Sequence, residues 1–270
     1  MVFQNRMNFL QTVEEIGLLG AAELMKYWQK LEPEQISEKA RNDLVSAADK
    51  QAEEVILKAI SERFPDHRVL SEEAGWNDRD RAAPTWIVDP LDGTTNFVQC
   101  FPHFAVSIGV AIDDRVEFGV IIDPFKGDIF RSARGLGAFR NGERIRVSDR
   151  CTLEGTVLAT GFPFKAHRLI DSYLSIFKEV FLRCKAIRRP GSAALDLAYT
   201  ACGIFDGFFE FELAPWDIAA GALLVEEAGG VITDMEGGSA YLESGNVVCG
   251  PVKIHEELIT ITRTMDQCRK

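Results

Sequence analysis

Six cysteines are scattered along the 270 residues, at Cys100, Cys151, Cys184, Cys202, Cys249 and Cys268, and no two form a Cys-x-x-Cys pair. That spacing excludes a disulfide framework or a zinc ribbon and reads as isolated thiols in a reducing cytosol. No apolar run reaches the length of a membrane span. Met1 to Leu10 carries polar residues where a signal peptide would have its apolar stretch, so a cytoplasmic protein is expected. Positive charge is scarce: 30 Lys and Arg stand against 41 Asp and Glu, a net charge of −11. Nucleic acid is therefore not expected as the main partner. Internal repeats, low-complexity tracts and composition breaks are also missing. What remains, 46% hydrophobic and 26% charged residues, suits a globular chain with a sizeable core.

The most informative stretch is Trp86-Ile87-Val88-Asp89-Pro90-Leu91-Asp92-Gly93-Thr94-Thr95-Asn96-Phe97. Trp86 to Val88 reads as a buried strand. It delivers Asp89 and Asp92 at a turn set by Pro90 and Gly93, and a new helix follows. Carboxylates hold hard cations such as Mg²⁺ through oxygen, and the unpartnered N–H groups of a helix start favour phosphate. Both in one turn suit a metal-dependent site for a phosphate group. The plainer reading is a turn and a cap, for which Asp-Pro and Asp-Gly pairs are common.

Three further segments bear on that choice. Ser71-Glu72-Glu73-Ala74-Gly75 follows a short strand end at Arg68 to Leu70. Ala214-Pro215-Trp216-Asp217-Ile218-Ala219-Ala220-Gly221 opens a helix that runs to about Ala228 and stops at Gly229-Gly230. Asn42-Asp43-Leu44-Val45-Ser46-Ala47-Ala48-Asp49 precedes an amphipathic helix over Gln51 to Phe64. Taken singly, each acid could be solvated charge or a helix cap.

Together with Gly191-Ser192-Ala193-Ala194, these segments resemble the inositol monophosphatase family of Mg²⁺-dependent, lithium-sensitive phosphatases, over nearly the whole chain and in its bacterial form. The resemblance implies an α/β layered sandwich, alternating α-β-α-β-α as in the sugar-phosphatase superfamily, a homodimer, and hydrolysis of inositol 1-phosphate by water rather than through a covalent intermediate. Fructose 1,6-bisphosphate, histidinol phosphate, nucleotides and NADP are the alternative substrates. A regulatory or scaffold protein that keeps the fold is the alternative of another class.

On the matching positions, the resemblance implies that Glu72, Asp89 and the main-chain carbonyl of Leu91 bind a first Mg²⁺. Asp89, Asp92 and Asp217 bind a second, and a third, weaker ion lies near Glu72. Glu72, Thr94 and Asp49 form the catalytic set, with Thr94 and Asp49 orienting the water. Asp92, Gly93, Thr94, Gly191, Ser192, Ala193, Glu210 and Asp217 contact the substrate. Glu210 stands in the apolar run Phe208-Phe209-Glu210-Phe211, where a carboxylate is costly to bury without a partner. Bound divalent ions reverse the sign of an acidic site, so the net charge does not count against a phosphate substrate.

For the rest of the chain, a helix is expected over residues 8 to 29, then a mobile polar loop from Glu32 to Asn42. Strands dominate from Thr85 to Val147, with an Asn141-Gly142 hairpin. Helices and strands alternate from Val157 onward. One domain over 1–270 is expected, with halves at about 1–150 and 151–270. His67, His103, His167 and His255 are read as structural. Arg188 and Arg189 either meet an anionic substrate or form ion pairs across a dimer.

Overall fold

The computed structural model describes residues 2–40, 43–77, 79–80, 82–164 and 166–267. Asn42, Lys165 and Cys268 lie outside them. The chain begins with helix α1 (Val2–Tyr27). The stretch expected to be a mobile loop instead holds a small antiparallel hairpin, β1 (Ile36–Ala40) with β2 (Asp43–Ser46). Its pairing sets Ser37 opposite Val45 and Glu38 opposite Leu44, so backbone pairing satisfies a segment whose side chains alone read as loop. Helix α2 (Ala47–Arg63) follows.

Next come β3 (Arg68–Ser71), β4 (Gly75–Trp76), β5 (Thr85–Asp92), the single-turn α3 (Thr94–Val98), β6 (Ala105–Ile112), β7 (Arg115–Asp123), β8 (Asp128–Ala133), β9 (Gly137–Arg140) and β10 (Glu143–Arg144). They form an eight-stranded sheet in the order β10-β9-β8-β7-β6-β5-β3-β4. Only the β3–β5 pairing is parallel. The second half holds β11 (Val157–Thr160), α4 (Ile170–Phe181), β12 (Ala186–Arg188), α5 (Ala193–Ala201), β13 (Gly207–Glu210), α6 (Pro215–Glu227), β14 (Val231–Thr233), α7 (Tyr241–Ser244), β15 (Val247–Gly250) and α8 (Val252–Gln267). Its five-stranded sheet runs β12-β11-β13-β15-β14.

The layers follow from which faces are apolar. In β6 and β7 nearly every residue is buried, because helices cover both faces of the sheet. Phe118, Val120 and Ile122 face one way into a core with Leu10, Val13, Ile16, Ile56 and Ile60 of α1 and α2. Ile121 faces the other way, into a core shared with α5, α6 and the smaller sheet. Beyond that sheet, Tyr173, Ile176 and Val180 of α4 pack with Ile254 and Leu258 of α8. The order is thus α1/α2, large sheet, α5/α6, small sheet, α4/α8: the expected α-β-α-β-α sandwich. Among the described residues no helix is long and apolar enough to cross a membrane. The five described cysteines are free thiols.

One glycine pair sets how closely the middle layer approaches the large sheet. Gly109 of β6 and Gly119 of β7 are register partners. A Cβ at Gly119 would stand 2.8 Å from the Ala220 carbonyl oxygen, and one at Gly109 would stand 2.9 Å from the Ala219 Cβ. Helix α6 thus rests its backbone on bare sheet. The Ser107 hydroxyl of β6 also donates to the Trp216 carbonyl at 3.1 Å, which fixes the start of α6. Gly119→Ala should cost about 1–3 kcal/mol, the usual penalty for overpacking against backbone. Urea unfolding would read this as a lower midpoint, and an unchanged midpoint would mean that α6 is not held by this contact.

Candidate metal and phosphate site

The β5 strand does not end at the expected turn. It runs through Asp92, with Asp89 opposite Ser107 and Asp92 opposite Ala105, so Pro90 and Leu91 form an irregular step in the register. Proline suits that step, having no N–H to leave unpaired. The step turns the Asp89 carboxylate back on its own chain, where Oδ1 accepts from the Leu91 N–H at 2.9 Å. Gly93 follows at φ +95°, with the His103 carbonyl oxygen 3.0 Å from where a Cβ would sit, so only glycine fits.

Three side chains at helix starts cap their helices and also line or support the site. Asp49 is buried in the first turn of α2; Oδ2 accepts from the Ser46 N–H at 2.9 Å and its hydroxyl at 2.6 Å. The other oxygen, Oδ1, lies 2.9 Å from the Thr94 hydroxyl, which also stands 3.1 Å from the Leu91 carbonyl. Burial raises the Asp49 pKa despite these bonds. Asp217, in the first turn of α6, accepts from the Ala214 N–H at 2.8 Å. Ser192 caps α5 and donates to Asp92 Oδ2 at 2.6 Å, where the Ala194 N–H also arrives at 2.7 Å.

The Glu72 turn is held by a residue the sequence reading passed over. Glu53 Oε1 accepts from the N–H groups of Glu73 at 3.0 Å and Ala74 at 3.2 Å. Glu53 is buried on the same face of α2 as Ala52, Ile56 and Ile60. An acid inside an apolar helical stripe was the available signal. Asn96 ties the two halves together, its amide reaching the carbonyls of His103 at 2.7 Å and Pro190 at 2.9 Å.

These elements open on one cavity of about 530 Å³. Glu72, Asp89, Leu91, Asp92, Gly93, Thr94 and Asp217 line it together with Gly191, Ser192, Ala193 and Glu210. Asp49 stands behind Thr94 rather than in the wall. Arg189, left open between substrate and dimer contact, lines the cavity and lies over the rings of Phe164 at 4.9 Å and Phe162 at 5.6 Å. None of the four histidines lines it. A second cavity, about 370 Å³ between α2 and the β3–β4 hairpin, holds none of these carboxylates.

The acids crowd one another. Ligand oxygens of Asp89, Asp92 and Asp217 all lie within 4.8 Å of each other. Burial pushes Asp89 well above the usual carboxylate range, reinforced by Glu72, Asp92 and Asp217. Burial and Asp217 push Asp92 up to about 7. Burial likewise lifts Glu210 to about 8, against the pull of Arg189. An all-oxygen, multiply charged donor set that strains its own ionisation fits hard divalent cations such as Mg²⁺.

A profile of the inositol monophosphatase family matches residues 7–267. The chain is 45% identical over 240 residues to the Nus factor SuhB of Escherichia coli (strain K12), spanning 89% of this chain and 90% of that one. Among solved structures, the extragenic suppressor protein suhB from Bartonella henselae superposes with TM-score 0.90 at 38% identity, covering 94% of this chain and 98% of that one. The inositol monophosphatase from Anabaena superposes with TM-score 0.87 at 38% identity, covering 96% of this chain and 97% of that one. The name Nus factor gives no support to the expectation that nucleic acid is no partner.

Asp92 and Glu210 have folded pKa values above their ordinary ones, so each contributes stability at low pH that is lost as pH rises through the folded value. Without divalent ions the melting temperature should therefore fall between about pH 4 and pH 8. Mg²⁺ should raise it more at pH 8 than at pH 5. Thermal melts in EDTA and in Mg²⁺ test this; an ion effect equal at both pH values would count against a metal-binding cluster.

Proposed function

Because the chain belongs to the inositol monophosphatase family, we propose that it is a Mg²⁺-dependent phosphomonoesterase acting on inositol 1-phosphate. The observation that carries this reading is the convergence of Asp89, Asp92 and Asp217 within 4.8 Å, beside Glu72 and a threonine hydroxyl paired to a buried aspartate. When bound, the ions supply Lewis acidity at the phosphoryl group and its leaving oxygen. Glu72, Asp89 and the Leu91 carbonyl would hold one ion; Asp89, Asp92 and Asp217 would hold a second; a third would lie near Glu72.

The protein's own part is positioning and proton handling. Asp49 accepts from the Thr94 hydroxyl at 2.9 Å, which leaves a Thr94 lone pair to take the proton of the attacking water as the hydroxyl passes its own to Asp49. The N–H groups of Gly93 and Thr94 face the phosphate. Gly191, Ser192, Ala193 and Glu210 receive the alcohol. Fructose 1,6-bisphosphate, histidinol phosphate and NADP remain the rival substrates, because the metal end of the cavity carries no information about the alcohol.

Purified protein with Mg²⁺ should release phosphate from inositol 1-phosphate faster than from those rivals. EDTA should abolish the activity, and Asp92→Asn should lower turnover by roughly 100-fold or more while the fold survives. Near-normal turnover in that variant would overturn the two-ion assignment. Preference for another ester would replace the substrate and keep the mechanism. Relatives bearing the name Nus factor favour a second reading, partner binding alongside catalysis. Metal binding with silence on every ester would make it the main one.

The same reading makes the chain a cytoplasmic homodimer. Its support is the outer face of α4, where Ile170, Leu174 and Phe181 are 40%, 49% and 61% exposed at helical spacing. Leu174→Asp combined with Phe181→Asp should convert the dimer to monomer in light scattering after gel filtration, with an unchanged circular dichroism spectrum. A monomer before substitution would refute the dimer.

A further inference from the structure

At the alcohol end of the cavity lies a carboxyl group with no assigned role. Asp196, in the first turn of α5, is 1% exposed, yet it lines the cavity. Its Oδ1 is buried and has no hydrogen-bond partner among the described residues. Buried polar oxygens in folded proteins nearly always have partners, and leaving one without costs roughly 1–3 kcal/mol. Its electrostatic neighbours are Glu210 and Asp92, which oppose its charge, and Arg189, which favours it.

The surroundings are built to bring such groups close. A Cβ at Gly161 would collide with the Glu210 carboxylate, so glycine there admits that carboxylate to the cavity. Arg189 is steadied on Phe162 and Phe164. Asp92, at the metal end, is saturated by Ser192 and Ala194 on Oδ2. Asp196 differs in having an oxygen that no described residue satisfies. Nothing in the packing of α5 calls for a carboxylate at this position, since Ala194, Leu195, Leu197 and Ala198 around it are apolar and buried.

We propose that Asp196 is a specificity-determining residue that hydrogen-bonds a hydroxyl of the substrate's alcohol half, next to the hydroxyl met by Glu210. The site thereby favours esters of polyhydroxylated alcohols over esters of alcohols without hydroxyls. This rests on the phosphatase reading above and adds to it the means by which the alcohol is read. A hydrogen bond to a substrate hydroxyl discriminates strongly because, without it, the buried partner stays unsatisfied.

The test compares inositol 1-phosphate with 4-nitrophenyl phosphate, whose leaving group has no further hydroxyl. Asp196→Leu should lower kcat/KM on inositol 1-phosphate by roughly 10- to 100-fold, mostly through KM. On 4-nitrophenyl phosphate it should change kcat/KM by less than about threefold. Asp196→Asn, which keeps a polar group of the same shape, should recover most of the loss. If the leucine variant does not fold, Asp196→Ser gives the same comparison. Equal losses on both esters, or no loss on either, would overturn the assignment while leaving the phosphatase reading intact. Failure of the unaltered protein to hydrolyse either ester would overturn both.

Discussion

The constraint on which the rest depends is the mutual repulsion of Asp89, Asp92 and Asp217, held within 4.8 Å of one another in a largely buried site. Three carboxylates would not gather in this way by themselves, since each raises the cost of ionising the others. Two come from one strand and the third from a helix in the next layer. The fold must therefore supply binding between the layers that exceeds this repulsion. The apolar face of α6, buried from Ile218 to Val225, is the main source. The glycine pair lets that face approach the sheet at backbone distance.

Helix capping serves the same end. Asp49, Ser192 and Asp217 each sit at a helix start, where an oxygen is needed to satisfy open N–H groups. The capping geometry pins each side chain against the helix axis, so the direction in which it meets the site is fixed. Asp49 divides its oxygens in this way, Oδ2 to the cap and Oδ1 to Thr94. The choice posed by the sequence, cap or catalytic group, was therefore not a true alternative. The cap is what makes these side chains rigid enough for chemistry.

How far the sequence could be read follows from the range of the forces involved. Elements governed by local pattern were legible: the Trp86–Val88 strand, the Asn141-Gly142 turn, and the helix opened by Pro215. The metal end was legible too, because its ligands cluster in short motifs around Asp89 and Asp217. Glu53 and the placement of Arg189 were not, since each acts on a group distant in the chain. Glu53 holds a turn 20 residues on, and Arg189 settles on Phe162 and Phe164 across the cavity. The hairpin at Ile36–Ala40 was read as loop because its order comes from backbone pairing, which leaves little trace in side-chain pattern.

The two ends of the cavity are built from different parts of the fold, and this bears on how relatives with different names can share it. Under the proposed function, phosphate and metal would meet β5, α3 and the start of α6, whose geometry is fixed by the large sheet and the glycine pair. The alcohol would meet the ends of β11 and β13 and the start of α5, where Gly161, Glu210 and Asp196 line the cavity beside the smaller sheet. The two regions meet at Ser192 and Ala194 of α5, which hydrogen-bond Asp92, so a change there reaches the carboxylate cluster as well. The exposed face of α4 lies a further layer out, beyond the smaller sheet, and can acquire a partner without touching either end. Under the proposed function, hydrolysis rests on the carboxylate cluster, choice of alcohol on the smaller sheet and α5, and association on the face of α4. A shared metal centre constrains only the first of them.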